Sequence, residues 1–227
     1  MADIPPLKRI RWSQAYRIVP SRFPPVGVFD RIAEPGDLEA LYAIEAMTNP
    51  RLRDEMGELR LVPPERRVSG PGTTPVMAAF THLNPEGSRF SDGSWGVFYA
   101  AHSVATAVEE TVYHRERFLA ATTEPACDIE MRCYRTSIQA RLHDLRGGWK
   151  AAHDPDNYAA GIALARRLRN DGSDGIVYDS VRHLGGECVA VFYPDRVAPC
   201  VQAQHLMYRW DGTRIAQVLT VDEWKRG

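Results

Sequence analysis

The chain has 227 residues, 44% hydrophobic, 9% aromatic and 25% charged, a composition that supports a buried core and excludes a disordered, collagen-like or fibrous chain. Twenty-eight Lys and Arg against 29 Asp and Glu leave a formal charge of -1. That balance excludes a global electrostatic pull toward nucleic acid or an anionic membrane, so any polyanion has to be met by a local site. The longest apolar run, Cys188 to Tyr193, is six residues long, against the roughly 20 a membrane-spanning helix needs. The opening Met1-Ala-Asp-Ile-Pro-Pro lacks the basic, apolar, small-residue order of a secretion signal, so a cytoplasmic location is expected. Cys127, Cys133, Cys188 and Cys200 form no Cys-x-x-Cys pair and read as reduced, packing thiols.

In chain order, the first segment carries Pro5, Pro6, Pro20, Pro24, Pro25 and Pro35 around a strand-like Ala15 to Val19, a wrapping arm with one short strand. From Asp37, a plausible N-cap, Leu38, Leu41, Tyr42 and Glu45 set a helical spacing that Pro50 interrupts and Leu52 to Leu59 resumes. Residues 60–75 read as a long loop. A short apolar run, Val76 to Phe80, is followed by the polar segment Asn84 to Gly96, and Val97 to Ala101 is a buried strand. Ser103 then caps a helix whose inward positions are Val104, Ala107, Val108, Thr111, Val112 and Phe118, ending near Thr122. Ile129, Met131 and Cys133 alternate as in a half-buried strand, and Arg141 to Leu145 is a second one. A helix follows from Asp156 to Arg169, then a turn at Asp171 to Gly175 and strands at Ile176 to Tyr178 and Glu187 to Tyr193. Gln204 to Trp210, Asp211-Gly212 and Arg214 to Val221 form a closing hairpin. No repeat or flexible linker divides the chain, so the expectation is one α+β domain: residues 1–75 an extension whose helices pack on the core, 76–227 the core, with 14–20 contributing a strand.

The motifs narrow the chemistry. There is no His-Glu-x-x-His or close Cys/His cluster, so no metal is expected; Gly70-Pro-Gly72 and Gly185-Gly186 fit neither phosphate-loop spacing, and Ser180 sits in no glycine elbow. What remains is Arg89 in a polar loop, Tyr99 in the next strand and Glu110 on the helix beyond, three polar groups around one strand-to-helix turn. Glu109 and Glu110 lie about 100° apart on that helix, so one of them faces inward. Taken singly, a loop arginine is a surface residue, a strand tyrosine is core, and a helical glutamate belongs to a solvated face. Their spacing alone supports no more than an α+β domain.

The segment Gly87-Ser-Arg89-Phe, then Gly96-Val-Phe-Tyr99-Ala-Ala-His-Ser103-Val-Ala-Thr106-Ala107-Val-Glu109-Glu110, resembles the core of the RES-domain toxins, named for their arginine, glutamate and serine. In that family a loop arginine precedes a strand ending Tyr-Leu-Ala, then Ser-x-x-Thr-Ala and a glutamate. Arg89, Tyr99 and Glu110 stand at those places; the serine matches Ser180, and Tyr16-Arg17 is similar to the family's opening Tyr/Trp-Arg strand. The likeness runs over most of residues 14–200. It departs in the loop, where Gly87-Ser-Arg-Phe-Ser replaces Gly-Gly-Arg-Trp-Asn, and in the extra segment from Asp37 to Pro75.

The resemblance implies a mixed, mainly antiparallel β core like that of ADP-ribosyltransferases, flanked by helices. It also implies a cleft for NAD as substrate and a role as the toxin of a bacterial toxin–antitoxin system. On that basis Glu110 stabilises the oxocarbenium-like ribose, Arg89 and Arg17 hold phosphate or orient nicotinamide, Tyr99 stacks on the ring, and Ser180 bonds the amide or a ribose hydroxyl. The expected activity is mono-ADP-ribosyl transfer to a cellular protein. NAD glycohydrolysis or phosphorolysis and a catalytically silent partner-binding module are the alternatives. The implied partner is an antitoxin carrying a DNA-binding, Xre-like domain, with a homodimer or a hetero-oligomer with that antitoxin left open, and neither nucleic acid nor membrane bound directly.

Overall fold

In the computed structural model of the chain, residues 4–21, 30 and 57–221 are described. The elements in chain order are β1 (Leu7–Pro20), α1 (Thr74–Thr81), β2 (Phe98–Ala101), α2 (Val104–Thr122), β3 (Cys127–Asp144), α3 (Ala159–Asn170), β4 (Gly175–Asp179), β5 (Glu187–Val191), β6 (Val201–Trp210) and β7 (Ile215–Val221). The helices expected from Asp37 onward fall outside the described residues up to residue 56, while Leu59 opens a 3-10 turn, Leu59–Leu61.

β1 is far longer than the strand expected at Ala15 to Val19 because its prolines sit at its ends: Pro5 and Pro6 precede it and Pro20 closes it, leaving every amide between them free for the ladder. It runs antiparallel to β3 from Leu7↔His143 to Pro20↔Met131, with a bulge between Trp12 and Ala15. β3 in turn merges the two strands expected at 129–134 and 141–145, since inward positions continue through Thr136, Ile138 and Ala140. The apolar run Val76 to Phe80 belongs to a helix, with Pro75 accommodated in its first turn. Eight residues buried on most sides carry no readable period.

The sheet order is β1-β2-β5-β4-β3-β6-β7 with β1 also paired to β3, so five strands close on themselves and β6 and β7 extend outward. Among the described strands only β3 with β4 is parallel; the α+β, mixed and mainly antiparallel core is the one the family resemblance implies. Alternation along each strand divides the core in two. Phe98, Ala100, Val189, Val191 and Val177 pack with α1, whereas Ala101, Cys188, Ala190, Ile176 and Tyr178 pack with α2 and α3. Cys133, Cys188 and Cys200 are buried free thiols and Cys127 is exposed. Burial pushes the Cys133 and Cys200 thiols up to about 11, the behaviour of packing groups rather than nucleophiles. Among the described residues no helix is long and apolar enough to cross a membrane.

Candidate active site

α2 begins where β2 ends. The Ser103 hydroxyl accepts the Thr106 amide hydrogen at 3.2 Å, fixing the first turn. Four-residue spacing then places Thr106, Glu110 and His114 on one side of the helix. Glu109 is exposed and Glu110 half-buried, so Glu110 is the inward member of the pair. The loop after β4 meets it: Ser180 donates its hydroxyl hydrogen to Glu110 Oε1 at 2.6 Å. Ser180 Oγ also accepts the amides of Arg182 at 3.2 Å and His183 at 3.0 Å, while its own amide donates to Gly186 O at 2.8 Å. His183 Nδ1 lies 2.9 Å from Thr106 Oγ1, tying that loop back to α2.

Arg89 is buried, with Nη1 donating to Ala152 O at 3.1 Å and Asp154 O at 2.8 Å and its guanidinium 4.7 Å from the Tyr158 ring centre. It therefore holds down the 149–158 segment. The Tyr99 hydroxyl accepts the Phe90 amide at 3.0 Å and lies 2.8 Å from Ser88 Oγ. Burial pushes that phenol up to about 12, so it is a neutral structural donor and acceptor at ordinary pH. Tyr178 packs edge-on against Phe90 with 4.9 Å between ring centres. Desolvation raises its phenol well above the usual value, with Cys188, Glu110 and Tyr99 adding to the rise and Arg89 opposing it. Around Tyr178 the structure thus gathers Arg89, Tyr99 and Glu110, with Ser180 two residues further along.

The rim of this cluster is cationic. Arg182 lies 3.3 Å over the Tyr113 ring and donates to Pro155 O, and Arg117 approaches the same ring at 5.8 Å. His114 is exposed as a residue, yet desolvation pulls its imidazole down to about 4, helped by Arg182, Arg117, Arg89 and Arg115.

Arg17 lies elsewhere. Alternation along β1 sends it to the face opposite Tyr16 and Ile18, with its guanidinium 4.9 Å from the Phe98 ring centre. Its Nη1 donates to the Tyr99 carbonyl at 3.2 Å, and burial lowers its pKa. There β1 and β2 are paired only at Tyr16↔Ala101, and a cavity of about 460 Å³ opens, with Arg17, Ser88, Trp95, Tyr99, Arg132 and Tyr134 in its wall. Arg17 Nε, Arg132 Nε and Trp95 Nε1 are buried without a hydrogen-bond partner, and no carboxylate stands among the described residues lining the cavity. The site has two parts on either side of Tyr99: a carboxylate cluster and a cavity walled in part by Arg17 and Arg132. The structure brings together Arg89, Tyr99, Glu110 and Ser180; Arg17 joins them only through the Tyr99 backbone.

A family model described as RES domain matches residues 64–211. The chain belongs to the RES-domain family. Uncharacterized protein y4oC of Sinorhizobium fredii (strain NBRC 101917 / NGR234) is 33% identical over 213 residues, covering 92% of this chain and 87% of that protein. The crystal structure of the M. tuberculosis MbcT–MbcA toxin–antitoxin complex contains a chain that aligns with 14% identity and a TM-score of 0.45, over 90% of this chain and 87% of that one.

Within this RES-domain fold, several residues around the site escape a reading of the sequence. Arg132 looks like one outward position of an alternating strand, and Trp95 like a loop aromatic. Gly161 looks like a tolerated helical glycine, although a Cβ there would stand 2.5 Å from the Arg89 carbonyl. Only the three-dimensional pairing of β1 with β3 and of α3 with the Arg89 loop gives them meaning. Among the described residues no group of His, Cys, Asp or Glu is placed to hold a metal ion.

Proposed function

We propose that this RES-domain protein cleaves the nicotinamide–ribose bond of NAD and transfers ADP-ribose to a protein, acting as the toxin of a toxin–antitoxin pair. The observation that carries the chemistry is the Ser180–Glu110 hydrogen bond of 2.6 Å beside Arg89 and Tyr178. Departure of nicotinamide leaves an oxocarbenium-like ribose, and an oriented carboxylate at the edge of a desolvated pocket stabilises that developing charge. Ser180 fixes one Glu110 oxygen and leaves the other available. The cavity on the far side of Tyr99 suits the anionic half of a dinucleotide, because the Arg17 and Arg132 side chains stand in its wall and no carboxylate does among the described lining residues. Arg89, clamped to two carbonyls through Nη1 alone, keeps the rest of its fork for the substrate side.

Leu184, fully exposed at the tip of the loop that carries Ser180, is open to contact with a protein acceptor. Family membership supports the toxin role and an antitoxin partner with a DNA-binding, Xre-like domain.

Purified protein incubated with NAD labelled on the adenylate half and a cell lysate is expected to release nicotinamide and label a protein band. Nicotinamide release without any labelled protein replaces transfer by NAD destruction. A Glu110→Gln variant that releases nicotinamide at the original rate removes Glu110 from the reaction.

A further inference from the structure

β4 ends where the carboxylate cluster begins, and a side chain holds its last amide. β3 leaves β4 after the Leu145 amide donates to Val177 O at 2.9 Å, so the next amide of β4 along that edge, Asp179, lies beyond the paired stretch. His153 Nε2 accepts it at 3.2 Å. The Asp179 carboxylate reaches back to the same segment, Oδ2 accepting the Gly147 amide at 2.7 Å. Ser180, whose hydroxyl holds Glu110, follows directly in the chain.

The two ring nitrogens of His153 have opposite neighbours. Nδ1 lies 3.2 Å from Trp149 O, and a carbonyl can only accept, so Nδ1 carries the proton. Nε2 faces an amide that can only donate, so Nε2 is bare. Together the contacts select one neutral tautomer. The turn that carries the ring is itself strained: Trp149 stands at φ 57°, a left-handed backbone that a bulky residue rarely adopts, and its carbonyl also takes the Ala152 amide at 2.8 Å. Such strain persists only where the surroundings over-determine it. Here they do, because the carbonyls on either side of His153, Ala152 O and Asp154 O, are the two that Arg89 Nη1 grips at 3.1 and 2.8 Å. One residue thus joins the Arg89 side of the cluster to the strand end that carries Ser180.

We propose that His153, as its Nδ1–H tautomer, is a positioning residue of this site: it couples the turn clamped by Arg89 to the end of β4 and so sets where Ser180 holds Glu110. It acts through the Asp179 backbone and not on the substrate. The effect on turnover rests on the NAD reaction proposed above; the tautomer and the bond to Asp179 do not.

NMR on the full chain with isotope-labelled histidine reads the tautomer. The ring signals that vanish in His153→Gln are expected to show a protonated Nδ1 and a bare Nε2 in the unaltered protein, and a proton on Nε2 overturns the proposal. Two substitutions then separate the ring nitrogens, since an Asn side chain keeps a donor near the place of Nδ1 and a Gln side chain an acceptor near the place of Nε2. His153→Gln is expected to keep kcat for nicotinamide release within about twofold, whereas His153→Asn lowers it about 10-fold or more with little change in KM. Hydrogen exchange at the Asp179 amide should stay slow in His153→Gln and quicken in His153→Asn. A role confined to the turn gives the reverse order, because the Trp149 contact is the one that Asn preserves; that order, or two variants that behave alike, overturns the proposal. An unaltered chain that releases no nicotinamide removes the NAD reading instead, and exchange at Asp179 then decides the place of His153 by itself.

Discussion

Ser180 gives its hydroxyl hydrogen to Glu110 and receives the amide hydrogens of Arg182 and His183 on the same oxygen. One side chain thereby sets both the rotamer of the carboxylate and the path of the loop that faces it. Ser180→Ala removes all three bonds, leaving two amides without their acceptor. The expected stability loss is about 1–3 kcal/mol, seen in urea unfolding. Because Glu110 loses its orientation and not its charge, the proposed nicotinamide release is expected to fall by about 10- to 100-fold in kcat with a small change in KM. A KM increase with kcat unchanged would instead make Ser180 a contact to bound NAD.

Gly161 is the point where α3 touches the Arg89 loop. A Cβ there would lie 2.5 Å from the Arg89 carbonyl and 3.4 Å from the Phe90 ring, and the obstructing atom is backbone, which cannot swing aside. Gly161→Ala is expected to cost about 1–3 kcal/mol by overpacking and to lower activity by shifting Arg89. Gly148→Ala is the control, since nothing stands within 4 Å of its added Cβ. Equal stability of the two variants would show that the α3 contact is not tight.

The contrast between Ser103 and Arg132 shows what is legible in the sequence. The Ser103 cap, the helix to Thr122 and the inward Glu110 follow from local rules, because capping and helical spacing act over a few residues. Arg89, Tyr99, Glu110 and Ser180 owe their grouping to a family resemblance, since about 90 residues separate the first from the last and no local rule spans that. Arg132 and Trp95 remained hidden because their unsatisfied nitrogens exist only once β1 departs from β2 and opens the cavity. β1 and β3 outran their expected lengths for a related reason. Non-local pairing sustains a strand through residues such as Arg135 and Gln139 that have little preference for it alone.

Arg132 carries a desolvated Nε that no protein atom satisfies, and a buried donor without a partner is a cost to the substrate-free fold. Arg132→Met keeps much of the side-chain length and removes that cost. The melting temperature is therefore expected to stay level or rise, while KM for NAD, the proposed substrate, rises by roughly 10-fold or more through the positive charge lost from the cavity wall. kcat should change little, because Arg132 does not belong to the Glu110 cluster. A fall in kcat with KM unchanged would separate the cavity from substrate binding.

His114 supplies a pH test with a defined sign. Desolvation and the guanidiniums of Arg182, Arg117, Arg89 and Arg115 lower its pKa from the ordinary 6.5 to about 4 in the fold. Between those values the unfolded chain binds a proton that the folded chain refuses, so stability rises with pH across that window. The folded state is unpenalised above 6.5 and loses stability as pH falls toward 4. His114→Gln has no proton to take up, and its melting temperature is expected to fall less steeply between pH 6.5 and 4 than that of the unaltered protein. Because the residue is exposed, the difference is a partial flattening of the curve, and added salt should shrink it by screening the surrounding arginines. Identical slopes for the two proteins over that range would mean that the imidazole titrates normally and that the cationic rim around Glu110 is too well solvated to act on it.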